Sequence, residues 1–332
     1  MMILIYRATA TRRLLSSLLV AGLVAAAACE GTSNAQRAAK RDYGPDSMGV
    51  QPTDIKIVST HPRSILTENS AAVMSEQQPG VFFTINDSGN DPILFAMDTS
   101  GTDRGAWVVR GATDNDWESG SMGPCAPTDS ARECVYVGDT GDNMAERRTH
   151  AIYRIDEPAA HGQTDSVTAE QLFYRYSDAP HDVEAMYIAP NGDLFLITKR
   201  RLHAPSGALR QALVFRVPSE AWNSRDTVTA EIVDSLSIVP GSSPMRSITD
   251  ASLAPDGRHL AVRTYSQLYV YATDSASGRV VNTVAPSICN IVALGEAQGE
   301  GVTWVSSTGR FLFTSEGVTE PIRLANCPMP AR

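Results

Sequence analysis

Five times in this chain an acidic residue stands directly before a short apolar run: Glu68 in TENSAAV, Glu118 in DWESGSM, Glu184 in DVEAMYI, Asp250 in ITDASLA and Glu300 in GEGVTWV. The beats fall 50, 66, 66 and 50 residues apart. A unit of this length, repeated, cannot bury its own apolar face and must stack against its neighbours. Each unit resolves into four short β-rich runs separated by Gly, Pro, Asn and Asp clusters. In the third unit these are EAMYIAP, DLFLITK, ALVFRVP and TAEIVDSLSIV, with the hairpin signal Asn191-Gly192 after the first; in the fourth they are DASLAP, HLAVRTY, QLYVYAT and VVNTVAP, with Asp256-Gly257 in the same place. No segment carries a sustained helical stripe. Four antiparallel strands per unit make one blade, so the pattern predicts an all-β fold, a five-bladed β-propeller over residues 54–332.

The fifth unit has only GVTWVS, FLFTSEG and PIRLAN before the chain ends, whereas DIKIVST (54–60) precedes the first beat as AWVVRGA precedes the second. An N-terminal strand that completes the last blade would remove the open edge such a sheet otherwise leaves.

The first 28 residues read as an export signal. Arg7, Arg12 and Arg13 form a basic segment, followed by an apolar run from Leu14 to Ala28 that is too short to span a bilayer comfortably. It ends in Ala26-Ala27-Ala28-Cys29, similar to a bacterial lipobox, which would make Cys29 the lipidated N-terminus. Cleavage by an ordinary signal peptidase and soluble secretion is the other reading. Residues 29–53 are polar and aperiodic and read as a flexible tether. The expected location is therefore the cell envelope, periplasmic or outer surface, with membrane contact only through the lipid. Removing three of the 28 basic residues and none of the 37 acidic ones takes the formal net charge from −9 to −12. This excludes nucleic acid, which needs a basic face, and suits a protein that binds cations.

Four cysteines remain after Cys29, in an oxidising compartment. Cys125 and Cys134, nine positions apart, would staple the turn-rich insert CAPTDSAREC, and Cys289 with Cys327 would tie the C-terminal tail to the preceding repeat. Zinc is disfavoured: no CxxC is present, and no His stands at ligand spacing from a Cys.

In a propeller the start of every innermost strand lies beside the central channel. Glu68, Glu118, Glu184, Asp250 and Glu300 would converge there, and several carboxylates at close quarters need a counter-ion. Ca²⁺, with its many oxygen ligands and tolerant geometry, is the expected one. The same acids could instead cap strands or pair with Lys and Arg of adjacent blades. In the fourth repeat, aligning on the turn puts Thr249 on the beat in place of Asp250.

The second runs of the repeats end in five different polar signatures, which read as the lining of one asymmetric pocket. They bring forward Asp87, then Asp139, Asp142 and Asn143 in GDTGDN, then Lys199 and Arg200, then Arg263 and Tyr265, and finally Glu316. Such a mouth would hold a metal on one side and a small anionic ligand on the other. His181-Asp182 is a weaker acid/base candidate. There is no GxSxG, HExxH or Walker loop, so the hydrolases and nucleotidases recognisable by those motifs are excluded.

The first-blade NDSGNDPILFAMD, the second-blade DWE with VGDTGDN and the third-blade DVEAM resemble bacterial extracytoplasmic propellers of the SdiA-regulated and phytase-like esterase groups. The resemblance runs through short motifs over residues 54–327 and implies a propeller with a central Ca²⁺. Two functions are compatible with it. One is a lipid-anchored propeller whose cation-bearing mouth binds a small anionic ligand or an envelope protein. The alternative is a Ca²⁺-dependent phosphoester hydrolase in which Lys199, Arg200 and Arg263 stabilise phosphoryl charge while Asp87 or Asp139 activates water.

Overall fold

The chain divides into two units, Met1–Tyr43 and Gly44–Arg332. The computed structural model describes residues 49–61, 63–127, 129–199, 212–236, 238, 244–318 and 320–331, all in the second. The signal segment, the tether up to residue 48, Cys29 and Arg200 lie outside the described residues.

Among the described residues the strands pair as five antiparallel sets of four. The first set is β2 (Asn69–Met74), β3 (Val81–Asn86), β4 (Ile93–Asp98) and β5 (Asp103–Arg110). The second is β6 (Trp117–Ala126), β7 (Asp129–Asp139), β8 (His150–Asp156) and β9 (Gln163–Tyr176). β10 (Val183–Ile188), β11 (Leu194–Thr198), β12 (Ala212–Val217) and β13 (Val228–Leu236) form the third. The fourth is β14 (Ile248–Leu253), β15 (His259–Thr264), β16 (Gln267–Ala272) and β17 (Ser287–Asn290). β18 (Gly299–Ser306), β19 (Arg310–Ser315) and β20 (Pro321–Asn326) are joined by β1 (Thr53–Thr60), which runs antiparallel to β20 from Thr53 opposite Asn326 to Thr60 opposite Pro321. The first strand of the fold thus completes its last sheet.

Burial follows position in the set. β10 and β11 are buried along their whole length and read in sequence as unbroken apolar runs, as strands covered on both faces do. The outer strand β13 is half-buried and β1 is mostly exposed. Each innermost strand packs on the next, β2 on β6, β6 on β10, β10 on β14, β14 on β18, and β18 back on β2. Five apolar cores lie between successive sets: Trp107 with Trp117 and Tyr153, Tyr136 and Leu172 with Met186, Tyr187 and Phe195 with Val262, Val270 with Trp304 and Phe311, and Phe82 with Leu312. The fold is an all-β propeller. On the rim, β9 runs parallel to β5 along Gln163–Thr168 and parallel to β13 along Tyr174–Tyr176, which joins the first three sets into one sheet.

Both hairpin signals act as read. Gly192 and Gly257, at φ 81° and 66°, each donate an N–H at 2.8 Å to the carbonyl three residues earlier. Two boundaries differ from the sequence expectation. The outer strand of the fourth set is Ser287–Asn290, and VVNTVAP is the loop leading to it. Val50, read as tether, exchanges hydrogen bonds of 2.9 and 2.8 Å with Ile288 and Asn290 and extends that sheet. A stretch of a few residues with mixed polarity does not reveal an edge pairing that only the neighbouring strand supplies.

Both disulfides are formed. Cys125–Cys134 bridges the β6–β7 hairpin with Cα atoms 5.0 Å apart, and Cys289–Cys327 joins β17 to the segment after β20 at 5.6 Å. The second encloses a separation of 38 residues against 9 for the first. Loop-closure entropy then assigns roughly 4 kcal/mol to Cys289–Cys327 and roughly 2.6 kcal/mol to Cys125–Cys134. Urea unfolding of Cys289→Ser/Cys327→Ser should show the larger fall in midpoint, and Cys125→Ser/Cys134→Ser the smaller one.

Candidate functional site

Each innermost strand carries a bulge near its start, and the bulge decides which residue faces the channel. Trp117 pairs with Asp139 and Ser119 with Gly138, leaving Glu118 between them. Glu184 is left in the same way between Val183 and Ala185, Thr249 between Ile248 and Asp250, and Glu300 between Gly299 and Gly301. An extra residue in one strand locally breaks the ladder and re-aims its side chain.

The first set has a different register from the expected one. The amide of Asp87 reaches the carbonyl of Glu68 at 2.8 Å, as Thr140 reaches Asp116, Lys199 reaches Asp182 and Glu316 reaches Gln298. Glu68 is therefore the counterpart of Asp116, and Ser70 occupies the position of Glu118. Glu68 is exposed and accepts a 2.8 Å bond from Asn90. The fourth set departs too: Thr249 is on the beat, donating at 3.0 Å to Gly299 O. Asp250, one residue on, is fully buried and accepts from the amides of Ala72 at 3.3 Å, Ala251 at 2.8 Å and Val302 at 2.7 Å. Burial pushes its carboxyl upward and the three amide donors oppose that. The expected ring of five carboxylates is thus three glutamates, a serine and a threonine.

Glu118, Glu184 and Glu300 are all buried. Ser70 Oγ donates to Glu118 Oε2 at 3.1 Å, Lys199 pairs with Glu184, and Tyr265 donates its hydroxyl to Glu300 Oε1 at 2.7 Å. Glu300 Oε2 is buried with no close hydrogen bond among the described residues, although Gln298 also acts as a donor to this carboxyl. Burial pushes the carboxyls of Glu118 and Glu184 well above the ordinary range; Glu184 and Asp87 push Glu118 further, while Lys199 draws Glu184 back. For Lys199 itself burial acts downward, but Glu184, Glu300, Asp182 and Glu118 outweigh it and hold the ammonium in its charged form.

Beside this axial group, one carboxylate oxygen each from Asp87, Asp116 and Glu118 lies within 4.8 Å of the other two. Asp116 precedes β6 and Asp87 follows β3. Burial, then Asp87 and Asp182, raise Asp116 to about 6. Glu316 is raised to about 8 by burial, Glu300, Asp87 and Glu68, and it accepts from Gln298. The sequence reading missed Asp116, although it stands in the DWE motif two residues before Glu118.

Several other residues expected in the pocket are committed elsewhere. Arg263 is fully buried between the fourth and fifth sets, donating to Gly301 O at 2.6 Å and Thr314 O at 3.1 Å and pairing with Glu296. It sits one residue before the strand end, opposite Asp250, so strand alternation sends it into the interface. Gly299 passes so close that a Cβ there would lie 1.4 Å from Arg263 Nη2. Asp139 is held by Arg147 and Asn115, each at 2.6 Å, and Asp142 accepts from the amides of Glu146 and Arg147. Gly138 and Asp139 of GDTGDN close β7, and the rest is a loop folded on Arg147 with Asn143 exposed upon it. His181 contacts Asp178 at 2.9 Å, whereas Asp182 accepts from the Asp142 amide, so these two do not form an acid/base pair.

At the opposite ends of the inner strands lies a cavity of about 400 Å³, lined by residues that include Met74, Ser121, Met122, Ser252, Thr303 and Trp304.

No protein-family model matches this sequence, and no curated protein matches it. Among solved structures, the glutaminyl cyclase of Myxococcus xanthus is 14% identical, covering 85% of this chain and 100% of that one, at a TM-score of 0.43. The gluconolactonase of Xanthomonas campestris is 16% identical over 83% of this chain and 80% of that one, at 0.41. Mala s 1 of Malassezia sympodialis is 9% identical over 82% of each, at 0.44. These likenesses assign no activity to this chain.

Variants of the two buried anchors separate structure from surface. Asn at position 250 cannot accept from three amides at once, so Asp250→Asn should cost about 2–4 kcal/mol, and Gly299→Ala, which displaces a buried ion pair, about 3 kcal/mol or more. Glu68→Gln, at an exposed position, should stay within about 0.5 kcal/mol of the parent. Urea midpoints of the three variants check the order.

Proposed function

We propose that this protein is an exported, lipid-anchored propeller that binds a divalent cation at one mouth of its channel and, through that cation, a small anionic ligand or an envelope partner. The observation that carries the reading is the convergence of Asp87, Asp116 and Glu118 carboxylate oxygens within 4.8 Å of one another. Three hard anionic oxygens with uneven burial suit Ca²⁺, which accepts irregular geometry and completes its shell with water or ligand oxygens. Asp116 and Glu118 both belong to the DWE motif on which the resemblance to the phytase-like propellers rests.

A ligand that reached this mouth would meet mostly carboxylates. Arg263 is turned inward to Glu296 and Lys199 is paired with Glu184. An anion would therefore approach through the metal, whose open coordination positions provide the attraction the side chains do not. The phosphoester-hydrolase alternative relied on Lys199, Arg200 and Arg263 together; two of these are held by Glu184 and Glu296 and Arg200 lies outside the described residues, so binding is the function put forward.

Titration calorimetry with Ca²⁺ tests the site. Binding should weaken at least tenfold in Asp116→Asn and in Glu118→Gln, and chelator should lower the melting temperature of the parent. No heat of binding together with unchanged melting in EDTA would sink the proposal.

The pH dependence has a definite sign. Asp116 and Glu316 have ordinary values of 3.8 and 4.5 and folded values raised to about 6 and about 8. Folded protein thus binds more protons than unfolded protein in that interval. Their contribution to metal-free stability is greatest below about pH 4 and is lost as pH rises to about 8. Ca²⁺ should oppose that loss and release protons on binding, so its stabilising effect in thermal melts should grow from pH 5 to pH 8.

A further inference from the structure

The end of the channel away from the carboxylates has the opposite character. Its cavity of about 400 Å³ lies among the inner strands of four sets, β2, β6, β14 and β18. Met74, Met122, Leu253 and Val305, one from each of these strands, line it and are half-buried or exposed. A concave, largely apolar lining with a few polar groups is how small-molecule sites are built, and the volume falls in their range of about 300–1,000 Å³. The two methionines add adaptability, since an unbranched, polarizable thioether chain fits itself to the shape of what it covers.

Hydroxyls supply the polar part: Ser121, Ser252 and Thr303 line the cavity from β6, β14 and β18. Ser121 Oγ is committed, accepting from the Ile188 amide and donating to Met122 O, each at 3.1 Å. Thr303 Oγ1 accepts from the Met74 amide at 3.1 Å. Ser252 Oγ makes one contact among the described residues, 3.4 Å from Thr303 Oγ1, and so keeps hydrogen-bonding capacity for a ligand.

Charge narrows the ligand class. No Lys, Arg or His among the described residues lines the cavity, and its one charged side chain is the exposed Glu76. An anion here would lose hydration without gaining a partner. Asp250, which accepts from the amides of the lining residues Ala72 and Ala251, is fully buried and committed to those donors.

We propose that this cavity is a second binding site, for a small uncharged organic molecule with an apolar body and a hydrogen-bonding end. The body lies against Met74, Met122, Leu253 and Val305, and the polar end meets Ser252. The inference does not depend on a cation at the other mouth.

N-phenylnaphthylamine, an uncharged fluorophore with a single N–H, is the probe, and anilinonaphthalenesulfonate, its anionic counterpart, is the control. Both are titrated into the full chain carrying Cys29→Ala, which keeps acyl chains out of the assay. The uncharged probe should bind saturably, one per chain, and the sulfonate at least tenfold more weakly. Met122→Trp and Leu253→Trp, which fill the cavity from two different sets, should each weaken the probe at least tenfold, and Ser252→Ala about threefold. Melting curves show which variants are folded. Absence of saturable binding, equal affinity for the sulfonate, or parental affinity in a folded tryptophan variant would overturn the inference. Where neither tryptophan variant folds, Ser252→Ala decides: the threefold loss supports the site and unchanged affinity overturns it.

Discussion

Closure of the ring is the constraint on which everything else depends. A four-stranded twisted sheet with two apolar faces is not stable in water by itself, and each set here covers one face of its neighbour through a core of its own. The chain has to end where it began. Pairing of β1 with β20 and the Cys289–Cys327 bridge both secure that junction, one by a ladder of hydrogen bonds and the other covalently. The rim adds a second kind of join, since β9 pairs in parallel with both β5 and β13.

Closure also makes the channel narrow, and this sets the electrostatics. The inner strands are close enough that Asp250 on β14 reaches amides on β2 and β18. Side chains on the beat consequently meet in a poorly solvated space, where like charges repel strongly and burial alone favours the protonated acid. The raised carboxyls of Glu118, Glu184 and Glu300 and the ion-paired Lys199 all express this one condition. Nearer the solvent, Asp87 and Asp116 are only partly buried.

The fold was largely legible in the residues because strand and turn signals act locally. Continuous apolar runs marked the inner strands, the Asn191-Gly192 and Asp256-Gly257 turns marked hairpins, and the incomplete fifth repeat pointed to a closing N-terminal strand. The misplaced outer strand of the fourth set shows where locality ends. VVNTVAP has better strand composition than SICN, yet SICN has β16 on one side and Val50 on the other.

For the site, the sequence by itself pointed to the starts of the innermost strands, because an acidic beat recurs there in three of the five sets. Glu118, Glu184 and Glu300 were identified on that ground alone. Only the tertiary structure decided which carboxylates meet. In the fourth set the bulge falls at Thr249, and with a side-chain period of two that single-residue step sends Asp250 onto backbone amides, while in the first set Glu68 lies two residues ahead of Ser70, which stands in the position of Glu118. The same alternation drew Arg263 into the interface between two sets and left Lys199 at the axis, so the sign of the charge at the mouth was settled by register, a pairing between strands that no single strand encodes.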